Sequence, residues 1–162
     1  MHKQPVNTRN EPLEFARRTR RNLEFIENAK EKGADVHAVT QLTVSLLGLV
    51  VFPKEKLLLD QAEQKNHADM QAEGWSGWTI TLDDPARPTK TLADILWHLR
   101  NAVAHGRLTF SSDSPLLQEV TIIVEDKKRR EDAQPSWCAR IDGVALRSFC
   151  LHFLDFIDNT VG

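Results

Sequence analysis

The sequence predicts a mainly α-helical bundle with a small antiparallel β-meander inserted before the last helix. Apolar side chains recur at the three- and four-residue spacing of amphipathic helices in the first part of the chain and again at its end. Between residues 107 and 141 this spacing changes to two, which is typical of half-buried strands. The 162 residues suit one domain, which we expect over 12–162 after a flexible arm at 1–11.

The first two helices are predicted from their ends as well as from their apolar faces. Pro12 suits a first helical position, and an amphipathic helix over 12–32 is stopped by Gly33. Asp35 is expected to cap a second helix over 36–52. The second half of that helix is apolar on all sides, so we expect it to be central and buried, although its valines also fit a strand.

The best-marked helix of the sequence lies between Thr91 and Gly106. Thr91 and Asp94 fit a capping box, and Gly106 fits a C-terminal stop. On a helical wheel, one face is apolar and is predicted to enter the core: Leu92, Ile95, Leu96, Leu99 and Val103. The opposite face is polar, with Arg100 on its flank, and consists of Asp94, His98, Asn101 and His105. Small alanines border this row, which favours close approach of a partner; the alternative is an ordinary solvated face.

The remaining elements are shorter, apart from the final helix. We expect one or two helical turns within 54–65, followed by a mostly irregular segment with a short strand at 78–82. After the third helix come three predicted strands, at 107–110, 120–125 and 137–141. Asp142 then begins a final helix with a continuous apolar stripe.

The composition is that of an ordinary globular protein, with 41% hydrophobic and 27% charged residues. The longest uninterrupted apolar stretch, Leu46 to Phe52, is far short of the roughly 20 residues that cross a membrane. The N-terminus has no apolar segment of the kind found in secretion signals, and the two cysteines lack metal-ligand spacing. These features predict a cytoplasmic protein without a membrane partner. No glycine-rich phosphate loop stands out, and we expect no cofactor.

The net charge of −2 argues against a nucleic-acid binder that depends on charge alone. The charge is uneven, however, because residues 1–32 carry eight Lys or Arg against five Glu, whereas the rest carries thirteen against eighteen acidic residues. A locally basic surface of this kind is compatible with a small RNA contact but does not demand one.

The end of the third helix resembles a known motif. Residues 100–105 read R-N-A-V-A-H, which is similar to the R-x(4–6)-H motif of the HEPN superfamily, small helical-bundle domains of many prokaryotic toxin and defence systems. Arg100 and His105 match the Arg and His of the motif, and Asn101 supplies the polar residue that commonly follows the Arg. Upstream, RNLEFIEN at 21–28 and VTQLTVSLLGLVVFPKEK at 39–56 resemble a plasmid-associated bacterial HEPN subgroup.

The resemblance implies a metal-independent endoribonuclease in which RNA supplies the nucleophile, its own 2′-hydroxyl. His105 would act as acid or base, because an imidazole changes its charge near neutral pH. Arg100 would present a fork of donors to the scissile phosphate, and Asn101 would orient the imidazole or bind a phosphate oxygen. The resemblance also implies a homodimer in which two motif helices complete one site, with RNA as substrate.

Four further side chains are candidate contacts to RNA phosphates. Arg17, Arg20 and Arg21 lie together on the polar face of the first helix, and His98 lies on the row described above. The alternative for each is an ordinary solvated surface position.

A metal site is disfavoured. Asp94, His98 and His105 lie on one helix face, but the two histidines are two turns apart, about 10 Å, too far for one ion to bridge them. Cys138 falls in a predicted strand and Cys150 on an apolar stripe, which favours core positions over nucleophilic ones.

Two other functions stay open at this level. One is a non-catalytic HEPN module that binds RNA, a nucleotide or a protein partner and keeps the motif only as a dimer seam. The other is one half of a toxin–antitoxin pair with a separate nucleotidyltransferase. A cognate antitoxin is the further partner that a toxin of this class would have.

Overall fold

The computed structural model describes residues 11–51, 56–75 and 77–162. Its helices are α1 (Glu11–Glu31), α2 (Ala38–Val51), α3 (Lys56–Gln64), α4 (His67–Ala72), α5 (Leu92–Ala104) and α6 (Gly143–Val161). Its strands are β1 (Thr79–Leu82), β2 (Leu108–Phe110), β3 (Thr121–Asp126) and β4 (Trp137–Asp142), with a 3₁₀ turn at Leu117–Glu119. The mainly α-helical prediction is confirmed. The arm expected at 1–11 lies outside the described residues, except that Glu11 begins α1.

Helix α5 lies between two layers. On one side it contacts α2 and α3, which pack with α6, while α1 covers α2 and α6. On the other side it contacts β3 of the sheet. The core that results is aromatic at its centre, where Trp137, Phe149 and Phe153 are fully buried. No helix in the described ranges is long and apolar enough to cross a membrane.

The sheet has the strand order β1-β4-β3-β2, with antiparallel neighbours throughout. The predicted meander is present as β2, β3 and β4, but β1 comes from before α5 and pairs with β4, for example Thr79 with Arg140. The expectation of a local insertion is therefore incomplete, because the sheet joins segments from both sides of the motif helix. Along β3 the buried residues alternate, and the series ends on the carboxylate of Asp126.

Two local expectations are corrected. Helix α2 begins at Ala38 rather than at residue 36, and the cap is His37, whose Nδ1 accepts the N–H of Thr40 at 3.3 Å, whereas Asp35 is exposed. Helix α4 was not expected; its six residues are too few to show a helical period, but Asn66 caps it by accepting the N–H of Asp69. The central burial predicted for α2 is confirmed, since Leu46, Leu49 and Val50 are buried. 

Candidate functional site at the end of helix α5

The start of α5 is fixed by the predicted capping box. The N–H of Asp94 donates to the hydroxyl of Thr91 at 3.4 Å, and the carboxylate of Asp94 accepts the N–H groups of Thr91 and Lys90 at 3.0 and 3.1 Å. Arg87 adds an ion pair to the same carboxylate at 3.4 Å. Asp94 is thus occupied in holding the helix N-terminus.

The end of α5 is fixed by Gly106, as the sequence predicts. Gly106 has a φ of +64°, and its N–H donates to the carbonyl of Val103 at 3.0 Å. The N–H of Arg107 donates to the carbonyl of Ala102 at 2.9 Å. This pair of bonds is the Schellman motif, in which the chain reverses direction directly after the helix. His105 is the C-cap residue, and the reversal brings Arg107 back beside it.

His98 lies inside the molecule. Its ring stacks on Trp137 with centroids 4.6 Å apart, and its Nδ1 lies 2.9 Å from Oδ2 of Asp126. Its Nε2 lies 3.2 Å from the carbonyl oxygen of Arg87. Both of these neighbouring oxygens are hydrogen-bond acceptors. The ring therefore joins α5 to β3, β4 and the loop before the helix.

Asn101 belongs to the same network. Its Nδ2 donates to Oδ2 of Asp126 at 3.3 Å, which directs the amide nitrogen towards the sheet. Asp126 is 2% exposed, and its other oxygen accepts the N–H of Lys127 and lies 4.0 Å from Nη1 of Arg107. The buried carboxylate of Asp126 thus contacts Asn101 of the motif, Arg107 after the helix turn, and His98.

These contacts correct one expectation about α5. The wheel separates the polar row from the core face, but the middle of that row faces the sheet: Asn101 contacts Asp126, and His98 is fully buried. The exposed side chains of α5 are instead Trp97 and Ala104, with His105 exposed directly after its last residue. The guanidinium of Arg87 lies over the ring of Trp97 in a cation–π contact, 4.7 Å from the ring centroid.

Arg100 lies at the junction of α5 and α2. Its Nε donates to the carbonyl of Val50 at 2.5 Å, in the last turn of α2. The side chain is half-buried, and that burial lowers the pKa of the Arg100 guanidinium. The Arg of the motif thus has an evident structural contact in addition to any role with a substrate.

A polar cleft of about 500 Å³ opens at the end of α5. Its walls are Ala104, His105, Arg107 and Arg130. Arg130 comes from the charged turn between β3 and β4, so the sheet supplies one side of the cleft and the end of the helix the other. The cleft brings the motif His together with two cations that sequence reasoning missed.

The arginines of α1 lie against α6. Nε of Arg17 donates to Oδ1 of Asp158 at 3.1 Å, and Nη2 of Arg20 donates to Oδ1 of Asp155 at 2.6 Å. These pairs link the two helices and reduce the positive charge that the cluster presents to solvent. Arg21 is exposed on the same helix.

The structure also bears on the metal site and the cysteine nucleophile considered from the sequence. Within the described ranges, no group of three or more His, Cys, Asp or Glu side chains is arranged to hold a metal ion. Cys150 is fully buried, and this burial raises the pKa of its thiol to about 12, which leaves it without the thiolate that a nucleophile needs. Its predicted core position is confirmed.

The bundle, with a motif helix that ends at an exposed histidine and a glycine turn, fits the HEPN-type domain that the sequence resembles. Residues 2–162 match the family described as HEPN pEK499 p136, and the chain belongs to that family. This match confirms the resemblance drawn from the sequence, including its plasmid-associated subgroup. No curated protein and no solved structure matches the chain. Membership indicates a nuclease or an RNA-binding module, of a class whose domains often dimerise and bind RNA.

Proposed function

We propose that this chain is a metal-independent endoribonuclease of the toxin or defence type. The observation that carries the proposal is the position of His105, which is exposed at the C-cap of α5 and lines a cleft with Arg107 and Arg130. An imidazole accepts and donates protons near neutral pH. The motif Arg100 would stabilise the charge that develops on the scissile phosphate, while the two arginines of the cleft attract the RNA backbone. These are the groups that RNA cleavage requires of a protein.

The chemistry uses the substrate's own nucleophile. A base removes the proton of the 2′-hydroxyl, the 2′-oxygen bonds to phosphorus, and the bond from phosphorus to the 5′-oxygen breaks as an acid protonates that oxygen. The products are a 2′,3′-cyclic phosphate and a 5′-hydroxyl. Because the attacking and leaving oxygens lie on opposite sides of phosphorus, one imidazole is poorly placed to serve both. A second copy of His105, from a dimer partner, would supply the other group.

The exposed part of α5 is the proposed dimer seam. Trp97 and Ala104 lie there, and Arg100 is close to them on the helical wheel. The seam is thus rotated away from the polar row that the sequence favours, because the sheet covers His98 and Asn101 in the middle of that row.

Light scattering tests the seam. The wild-type chain should have twice the mass of one chain at micromolar concentration, and Ala104→Arg should lower it to that of a monomer. Ala68→Arg, at an exposed position of α4, is the matched control and should remain dimeric. A wild-type monomer throughout this range would contradict the shared site. Ala102 is the other small residue beside the polar row, but Ala102→Arg cannot test the seam. Ala102 is fully buried, and a charge there disrupts the core.

Cleavage is tested with purified protein and RNA, followed by analysis of the product ends. We expect cyclic phosphates and 5′-hydroxyls, an unchanged rate in excess EDTA, and no cleavage at a 2′-deoxy position. Products with 5′-phosphates, or activity lost on chelation, would contradict this mechanism. In cells, induced expression should arrest growth, and His105→Ala should abolish the arrest. A cognate antitoxin, if one accompanies the chain, should relieve it.

The alternative, a non-catalytic module that binds RNA, a nucleotide or a protein, has one observation in its favour. Arg100 already donates its Nε to Val50, so the motif Arg has a structural partner without any substrate. This alternative predicts RNA binding without cleavage, and a motif whose removal affects stability or assembly alone.

A further inference from the structure

The cleft at the end of α5 holds two cations that lie outside the HEPN motif. Arg107 is largely buried, and its Nη1 forms no hydrogen bond with the residues that the structure describes. Its ion-pair contact, to Oδ1 of Asp126, is 4.0 Å long. Arg130 is exposed on the opposite wall.

Asp126 does not hydrogen-bond Arg107, because Oδ1 and Nη1 are 4.0 Å apart and its other contacts hold the carboxylate in place. Its carboxylate already lies within hydrogen-bond distance of Nδ1 of His98, Nδ2 of Asn101 and the N–H of Lys127, at 2.9, 3.3 and 2.8 Å. A buried guanidinium nitrogen without an acceptor costs free energy, because it has lost water and gained no partner. Arg107 also lines the cleft, so a small rotation of its guanidinium would let it bond an anion bound there.

We propose that Arg107 and Arg130 bind a backbone phosphate of single-stranded RNA beside the phosphate at which His105 acts. This inference rests on the proposed function for its choice of anion. The buried Arg107 provides a fixed fork of donors, and the exposed Arg130 adds a second charge from the other wall. Because His105 and Arg130 are both exposed, the substrate strand passes across the cleft and is not enclosed by it.

The test separates binding from cleavage. The probe is a 2′-O-methyl RNA of about ten nucleotides, which has no free 2′-hydroxyl to attack. Its affinity is measured by anisotropy over a range of salt concentrations for wild type, Arg130→Ala and the matched control Arg129→Ala. Arg129 is also exposed and directly precedes Arg130 in the same turn, but it does not line the cleft.

We expect Arg130→Ala to weaken binding about tenfold and to reduce the slope of log affinity against log salt by about 0.7, the value for one phosphate contact on a single strand. Arg129→Ala should change neither quantity appreciably. Arg107→Lys should keep the slope and weaken binding about tenfold, because an ammonium keeps the charge but loses the fork. Thermal melting checks that each variant is folded.

Equal losses in Arg129→Ala and Arg130→Ala would overturn the proposed site and leave only diffuse attraction. RNA cleavage by wild type, combined with unchanged binding by Arg130→Ala, would overturn the site while the proposed nuclease stands. Conversely, a loss specific to Arg130→Ala, in a protein that cleaves no RNA, would support the site and overturn the nuclease.

Discussion

The two histidines of the motif helix end in opposite surroundings. His98 and His105 are seven residues apart on the same side of the helix, yet His98 is fully buried and His105 is exposed. The difference comes from the sheet. β3 extends to Asp126 and β4 begins at Trp137, and these two residues cover His98, whereas the turn that joins the strands leaves the end of α5 open. The covering strands, more than the helix, decide which histidine stays exposed.

The enclosed region holds the open one in place. Asp126 contacts His98, Asn101 and Arg107, so the same carboxylate that anchors the buried histidine also contacts a wall of the cleft. A site at the end of a helix is precise only where such supporting contacts fix it. The following changes separate the two regions, beginning with the largest expected effect.

Replacing His105 should affect activity alone. His105→Ala should lower the rate of RNA cleavage by about 10²–10⁴-fold, the usual loss for a proton-transfer group, with a change in unfolding free energy within about 0.5 kcal/mol. The control is His37→Asn, since Asn also caps a helix and His37 is an exposed residue at the start of α2. Single-turnover kinetics and urea unfolding give the two readouts. Retained cleavage in His105→Ala would contradict the proposed mechanism.

Arg100 lies at the junction of α5 and α2, and its structural contact there can be separated from its proposed role in cleavage. Arg100→Ala should slow cleavage about 10²–10³-fold and also release the carbonyl of Val50. Arg100→Lys should restore most of the melting temperature, because a lysine also bonds a helix C-terminus, but little of the rate, since it lacks the bidentate fork. If Arg100→Lys restores both equally, the role of this residue is structural.

Replacing His98 should affect stability first. His98→Leu leaves a buried carboxylate with fewer partners and removes the bonds that join α5 to the sheet, so unfolding should become about 3 kcal/mol easier. Urea unfolding measures this loss. A variant that keeps its stability but loses cleavage would instead place His98 within the reacting site.

The smallest expected effect is at the turn after α5. Gly106→Ala meets no neighbouring atom but must adopt a φ of +64°, which costs about 1 kcal/mol. Because Arg107 follows directly, affinity for the 2′-O-methyl probe should fall as well. Gly33→Ala is the matched control: Gly33 has a φ of +82°, an added Cβ there also meets no neighbouring atom, and the residue is distant in sequence from the cleft. It should lose similar stability and bind the probe normally.

Local signals in the sequence were sufficient for the presence of the long helices and for both ends of α5. Thr91 and Asp94 form their bonds within one turn, and Gly106 acts on its own neighbours, so no distant residue can change the outcome. The prediction that Asp35 caps α2 was wrong for a local reason as well, because His37 takes the capping position instead.

The environment of His98 could not be predicted in the same way. It depends on Asp126 and Trp137, which are 28 and 39 residues further along the chain, and on the register of the strands that carry them. The cleft depends on the same register, since it sets where Arg130 lies. Only the Schellman turn gave a usable signal, because a glycine stop implies that the next residue, Arg107, returns towards the helix end.

The strand order also has a consequence for synthesis on the ribosome. β1 and α5 emerge before β4, yet β4 pairs with β1 and stacks Trp137 on α5. A nascent chain that stops before Trp137 therefore contains the whole motif, while the ring of His98 lacks its stacking partner and β1 has no neighbour. Such a fragment exposes apolar surface and a free strand edge, which are the features that chaperones and proteases recognise. Synthesis of β4 is thus the step that completes both the sheet and the packing around His98 on the motif helix.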